Sequence, residues 1–171
     1  MNVESFEVDG WEELQTGVTL SENHDWLLVK HIPVDYVLDG YKLYNKKFIK
    51  KRINSTEERI IEKVLTLKGT IINGADDFIF ADTIELLKWS QNKFGLFEFQ
   101  DDEEAAVFFG RIKSVIDNIL IIDFIDKKGE VDDEYDCEFK IDEIRTISFE
   151  SDYFNSIRVL WMDENPSIAT P

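Results

Sequence analysis

The chain has 171 residues, of which 43% are hydrophobic and 13 are Phe, so it carries enough apolar surface for a packed core and is not globally disordered. Its net charge is −17, from 36 acidic and 19 basic side chains, a surface that repels phosphate backbones and anionic membrane and attracts a basic protein. A single cysteine, Cys137, rules out an intrachain disulfide framework and is compatible with a reducing compartment.

The charge is uneven. Residues 1–93 hold 12 basic and 16 acidic side chains, or −4, and residues 94–171 hold 7 and 20, or −13. Acidity of this kind also serves solubility alone. The N-terminal MNVESFEVDGWEEL lacks a basic region leading into an apolar run, and no stretch nears the roughly 18 apolar residues of a membrane span. A cytoplasmic protein without a membrane segment is expected.

In chain order, residues 1–10 read as a polar lead-in. Residues 14–20 and 26–32 read as strands joined by the turn SENHD, and Pro33 ends the second because it cannot donate to a ladder. Asp39-Gly40, between the apolar runs 36–38 and 41–44, predicts a hairpin. A turn at 45–47 leads into a strand over 48–53. Its KKFIKKR segment can contact phosphate, but on an edge strand such charges more often block edge pairing. Ser55-Thr-Glu-Glu58 has capping-box spacing and predicts a helix over 56–66, followed by a brief strand at 70–72.

A second capping box, Asp82 to Glu85, opens a helix over 82–93, and Gly95 supplies its stop signal. Strands follow at 95–99, 105–115, 119–125, 136–141, 144–149 and 156–162, with a tight turn at 151–153 and a polar tail, DENPSIATP.

Residues 110–160 align with residues 17–65. Both stretches open on Gly, pass a turn holding Asp25 or Asp117, and run into an apolar strand. Both then reach Asp-x-Tyr (Asp39 to Tyr41, Asp133 to Tyr135), a Ser (Ser55, Ser151) and a closing run with Val-Leu. In the first copy the closing run reads as a helix, and in the second as a turn and a strand. The alignment predicts two related units, residues 1–80 and 81–171.

The helix at 82–93, the bent pair GRIKSVIDNILIIDF and the terminal runs KIDEIRTISF and SIRVLWM resemble an Sm-like or SH3-like barrel over roughly 80 residues, with a weaker echo over 17–65. The resemblance implies a mainly β (α+β) protein of two tandem five-strand SH3-like/Sm-like barrels joined by one or two short helices. The Sm family holds RNA through an Arg-Gly-Asn-like segment. Here that segment reads Ile144-Arg145-Thr146 in an acidic field, so RNA binding does not carry over. The chain also looks similar to uncharacterised small acidic bacterial proteins.

Few chemical motifs stand out. His24 and His31 lack zinc-ligand spacing, and the DDEE and DDEYD runs lack the glycine and spacing of a calcium loop, so no metal or cofactor is expected. Cys137 sits between acids that raise a thiol pKa, and there is no nucleophile elbow or glycine-rich phosphate loop, so nothing supports an enzyme. The expected function is non-enzymatic docking of a basic protein on Asp101, Asp102, Glu103, Glu104, Asp132, Asp133 and Glu134. One concrete form is an immunity-type protein masking the cationic active site of a toxin. The alternative is small-ligand or nucleic-acid binding through Tyr36, Tyr41, Lys50, Lys51 and Arg52, which the packing of aromatic residues between strands explains equally well.

Overall fold

VESFEV, residues Val3–Val8, is a strand (β1) rather than the lead-in its acids suggest, because Val3, Phe6 and Val8 are buried between neighbours on both sides. The computed structural model describes residues 1–134 and 137–168. Tyr135 of the aligned Asp-x-Tyr element, the predicted strand start at Asp136 and tail residues 169–171 lie outside the described residues. The protein is mainly β. It divides into two compact units, Met1–Phe80 and Ala81–Pro171.

In the first unit β1 is followed by β2 (Gln15–Glu22), β3 (Trp26–Ile32), β4 (Tyr41–Asn45), a 3-10 turn (Lys46–Phe48), β5 (Ile49–Ile53) and α1 (Thr56–Leu67). The strands pair antiparallel in the order β5-β1-β2-β3-β4. Residues 36–38 form no strand and β4 pairs with β3, so the predicted Asp39-Gly40 hairpin is not there. Val34 bridges only to Val37, and the Asp39 amide donates to the His31 carbonyl at 2.9 Å. Residues 70–72 form no strand either.

Strand alternation gives this sheet two apolar faces. Phe6, Val8, Leu27, Val29 and Tyr44 pack with Trp11 on one. Val3, Val18 and Ile32 meet Leu65 and Ile61 of α1 on the other. The junction between α1 and β1 is polar. Glu58, 4% exposed, accepts from the Ser55 amide and hydroxyl, both at 2.6 Å, and from Ser5 Oγ at 2.7 Å. Burial pushes its carboxyl up, but the hydrogen bonds from Ser55 and Ser5 outweigh that and hold it at about 2. Glu58→Ala would leave buried donors unmet and is expected to cost about 2 kcal/mol in urea unfolding. A loss under about 0.5 kcal/mol would mean that water replaces the carboxylate.

The second unit opens on α2 (Thr83–Phe94), capped by Asp82 and closing on Gly95 as its signals indicate. Then come β6 (Phe97–Gln100), β7 (Phe108–Ile116), β8 (Ile119–Phe124), β9 (Glu138–Lys140), a 3-10 turn (Ile141–Glu143), β10 (Thr146–Phe149) and α3 (Asp152–Glu164). The strand order is β10-β6-β7-β8-β9.

The predicted tight turn and last strand, over 151–162, are instead the start and body of α3. Ser151 accepts the Phe154 amide at 3.0 Å and caps the helix, and Phe154, Ile157 and Trp161 recur at helical spacing on its buried face. Trp161 Nε1 donates to the Gly95 carbonyl at 3.2 Å and Arg158 Nε to that of Phe94 at 2.8 Å, tying α3 to the end of α2. Phe94 stacks on Phe149 and meets Phe154 edge-on between them.

Each unit's first strand pairs with its second and its fifth, and a 3-10 turn separates its fourth strand from its fifth. Among the described residues no pairing joins β4 to β5 or β9 to β10. Among the described residues, then, the five strands of neither unit close into the expected barrel.

Candidate functional site

Two acidic turns lie at one end of the second unit's strands, as the strand registers require. Phe99 pairs with Phe108 and Gly110 with Phe124, so β6 ends, β7 begins and β8 ends together. Asp101, Asp102, Glu103 and Glu104 form the turn between β6 and β7. There the Asp101 carboxylate accepts the Glu103 amide at 3.2 Å and Gln100 Nε2 donates to the Glu104 carbonyl at 2.8 Å. Asp102 and Glu103 are exposed, and Asp101 and Glu104 half-buried.

Asp132, Asp133 and Glu134 follow the Ile125–Val131 bridge. The Asp132 amide donates to the Phe124 carbonyl at 2.9 Å, and the Asp132 carboxylate accepts the Glu134 amide at 3.0 Å. These are Asx-type turns, in which carboxylates satisfy local backbone donors.

At this end of the strands lies a groove of 660 Å3, lined by Ala105, Val107, Phe109, Phe124, Ile125, Asp126, Lys127 and Tyr153. Tyr153, in the first turn of α3, stands edge-on to Phe109 at 5.7 Å and is 55% exposed. The acids adjoin lining residues rather than lining the groove themselves: Glu104 precedes Ala105 in the chain, the Asp132 amide bonds to the Phe124 carbonyl, and the charged lining residues are Asp126 and Lys127. Asp126 holds the adjoining loop, accepting the Lys128 and Glu130 amides at 2.8 and 3.1 Å. The two acidic runs were legible because each is contiguous. The groove was not, because its residues come from three distant segments and Tyr153 reads as a turn residue until α3 is recognised.

The residues of the alternative site are not brought together. Tyr41, 7% exposed, donates its hydroxyl to the Gly74 carbonyl at 3.1 Å, and Lys30 lies 3.9 Å over its ring. Tyr36 is on the loop between β3 and β4. Lys50, Lys51 and Arg52 sit on β5, at the opposite end of the unit's strand order from β4. Lys50 pairs with Asp9 at 2.7 Å, and Arg52 with Glu4 at 2.6 Å and Glu22 at 3.0 Å. Lys46 and Arg52 together hold the Glu22 carboxyl below its usual range. Much of the basic strand's charge is thus matched within its own unit.

His24 is exposed against Asp25, whereas His31 is half-buried at the other end of β3, its Nδ1 3.2 Å from the Thr16 carbonyl. Cys137 is buried. Among the described residues no three His, Cys, Asp or Glu side chains converge as metal ligands, and no helix is long and apolar enough to cross a membrane. Comparison with protein-family models, curated proteins and solved structures finds no match.

Proposed function

We propose that this protein is a non-enzymatic interaction module whose second unit docks a basic protein partner. The observation that carries the reading is that two acidic turns, Asp101 to Glu104 and Asp132 to Glu134, adjoin lining residues of one largely apolar groove, Ala105 and Phe124. Acidic turns steer and orient a cationic segment, and the groove takes its apolar side chains. Masking of a toxin's cationic active site, as an immunity-type protein does, is one form this docking takes in a cytoplasmic bacterial protein. We further propose that the two units are related SH3-like/Sm-like folds, supported by their shared strand order and the matching 3-10 turn before the fifth strand.

The test is replacement of Asp101, Asp102, Glu103 and Glu104 together by lysine. Affinity for a short lysine-rich peptide with a central Leu-Trp pair is expected to fall at least tenfold at low salt, while the far-ultraviolet spectrum stays unchanged. Unchanged affinity would falsify the assignment of these residues. Small-ligand or nucleic-acid binding through the first unit is the second reading. The self-matched charges of β5 weigh against its nucleic-acid form.

A further inference from the structure

The strand registers place a groove in the first unit at the positions that build the one in the second. Gly17 of β2 lies opposite His31 of β3, and Gly110 of β7 opposite Phe124 of β8. Each strand then bulges at the same distance beyond its glycine, between Thr19 and Ser21 and between Ile112 and Ser114. Three residues before the glycines stand Leu14 and Val107, and one residue after their partners stand Ile32 and Ile125. Two residues after the helix-capping serines, Ser55 and Ser151, stand Glu57 and Tyr153. All six line grooves, three in each unit. A crevice left by imperfect packing has no reason to recur at matching positions in two sequences this different.

The groove of the first unit measures 380 Å3 and lies where β2 begins, β3 ends and α1 takes its first turns. Four of its large apolar side chains face solvent without cover, Leu14 52% exposed, Val34 57%, Tyr36 39% and Ile60 47%. Such a group is more than the scattered single exposures of an ordinary surface. Among the described residues lining it, the charged ones are Asp35 and Glu57, both acids. An apolar trough with acidic walls complements a segment that presents an apolar side chain between cations.

We propose that this groove is a second docking site for a short basic peptide segment with an apolar anchor, so that one chain holds two such segments. The class of partner rests on the docking reading of the second unit, and the location rests on the first unit's own groove. A partner carrying two such segments would be held with an avidity beyond that of either site.

The experiment is calorimetric titration of the full chain at low salt with a synthetic peptide, Leu-Trp flanked by two lysines on each side and blocked at both ends. Ile60→Lys and Leu14→Lys each place a cation in the first groove, from different elements and at exposed positions that leave the core intact. A stoichiometry of two, falling to one in each of these variants and also to one on reversal of Asp101 to Glu104, supports both sites. A stoichiometry of one that survives both groove variants but is lost on reversal of the acids overturns the second site and leaves the first docking reading standing. One site lost in Ile60→Lys and Leu14→Lys but kept on reversal supports the first-unit groove and overturns the reading of the second unit. No binding, or equal binding of a peptide with Ser for Leu and Trp, overturns the proposal.

Discussion

Acidification from about pH 7.5 to about pH 5 is expected to remove about 2 kcal/mol of stability, most of it through His31. Burial pushes this imidazole down to about 3, and the nearby Lys42 ammonium adds to the effect, while its bond to the Thr16 carbonyl opposes it only in part. In the unfolded chain the same group titrates near 6.5. Below that value the unfolded state takes up a proton that the folded state refuses, so stability is complete above about 6.5 and drains away as pH falls towards 3.

Glu58 extends the loss into stronger acid. Its folded value of about 2 lies below the unfolded one, so its contribution is present above about 4.5 and disappears as pH falls through 2. Urea unfolding across this range separates the two groups. His31→Gln should remove the loss that runs from about 6.5 towards 3 and leave only the fall below about 4.5, whereas Glu58→Gln should leave the loss above about 4.5 intact and shrink the fall below it. A His31→Gln profile that still falls by about 2 kcal/mol would show that other groups carry the effect.

Replacing Gly129 by alanine is expected to cost about 3 kcal/mol, against about 1 kcal/mol for the same change at Gly69. Both residues have left-handed backbone, with φ +79° and +65°. A side chain at Gly69 would meet nothing within 4 Å, so only the conformational cost applies. At Gly129 a Cβ would stand 2.6 Å from Leu160 Cβ and 2.7 Å from the Trp161 amide nitrogen, in the backbone of α3. The loop cannot easily withdraw, because the Gly129 amide donates to the Asp126 carbonyl and Asp126 holds two further amides. Thermal unfolding of the two variants gives the comparison. Equal losses would mean that the 126–131 loop lifts off α3 at little cost.

What the sequence made legible was local. The SENHD turn and Pro33 bracket β3 at Trp26 and Ile32, and Asp82 with Glu85 marks the start of α2, because each signal acts through neighbouring backbone. β1 reads as a polar lead-in because Glu4 and Glu7 mask a run whose Val3, Phe6 and Val8 are buried from both sides. α3 reads as a strand in the sequence because Ile157, Val159 and Leu160 look β-forming. The aligned serine, Ser55, already marked a helix start, and that match was the better guide. The acidic turns could be read directly. The grooves between strand ends and helix starts could not, since they depend on which strands pair and in what register.

Because the first strand of each unit pairs with its fifth, the time at which the chain is made matters. Ser5 pairs with Ile53, and Phe99 with Ile147. At roughly 5–20 residues per second of synthesis, β1 waits a few seconds beyond its pairing with β2 before its other neighbour exists. Neither sheet can be completed from adjacent hairpins alone, which places both among the slower-folding topologies, in the millisecond-to-second range. The newly made first unit therefore passes through an interval with one side of β1 unpaired, and in that interval the charges of Glu4 and Glu7 protect the strand from a wrong partner.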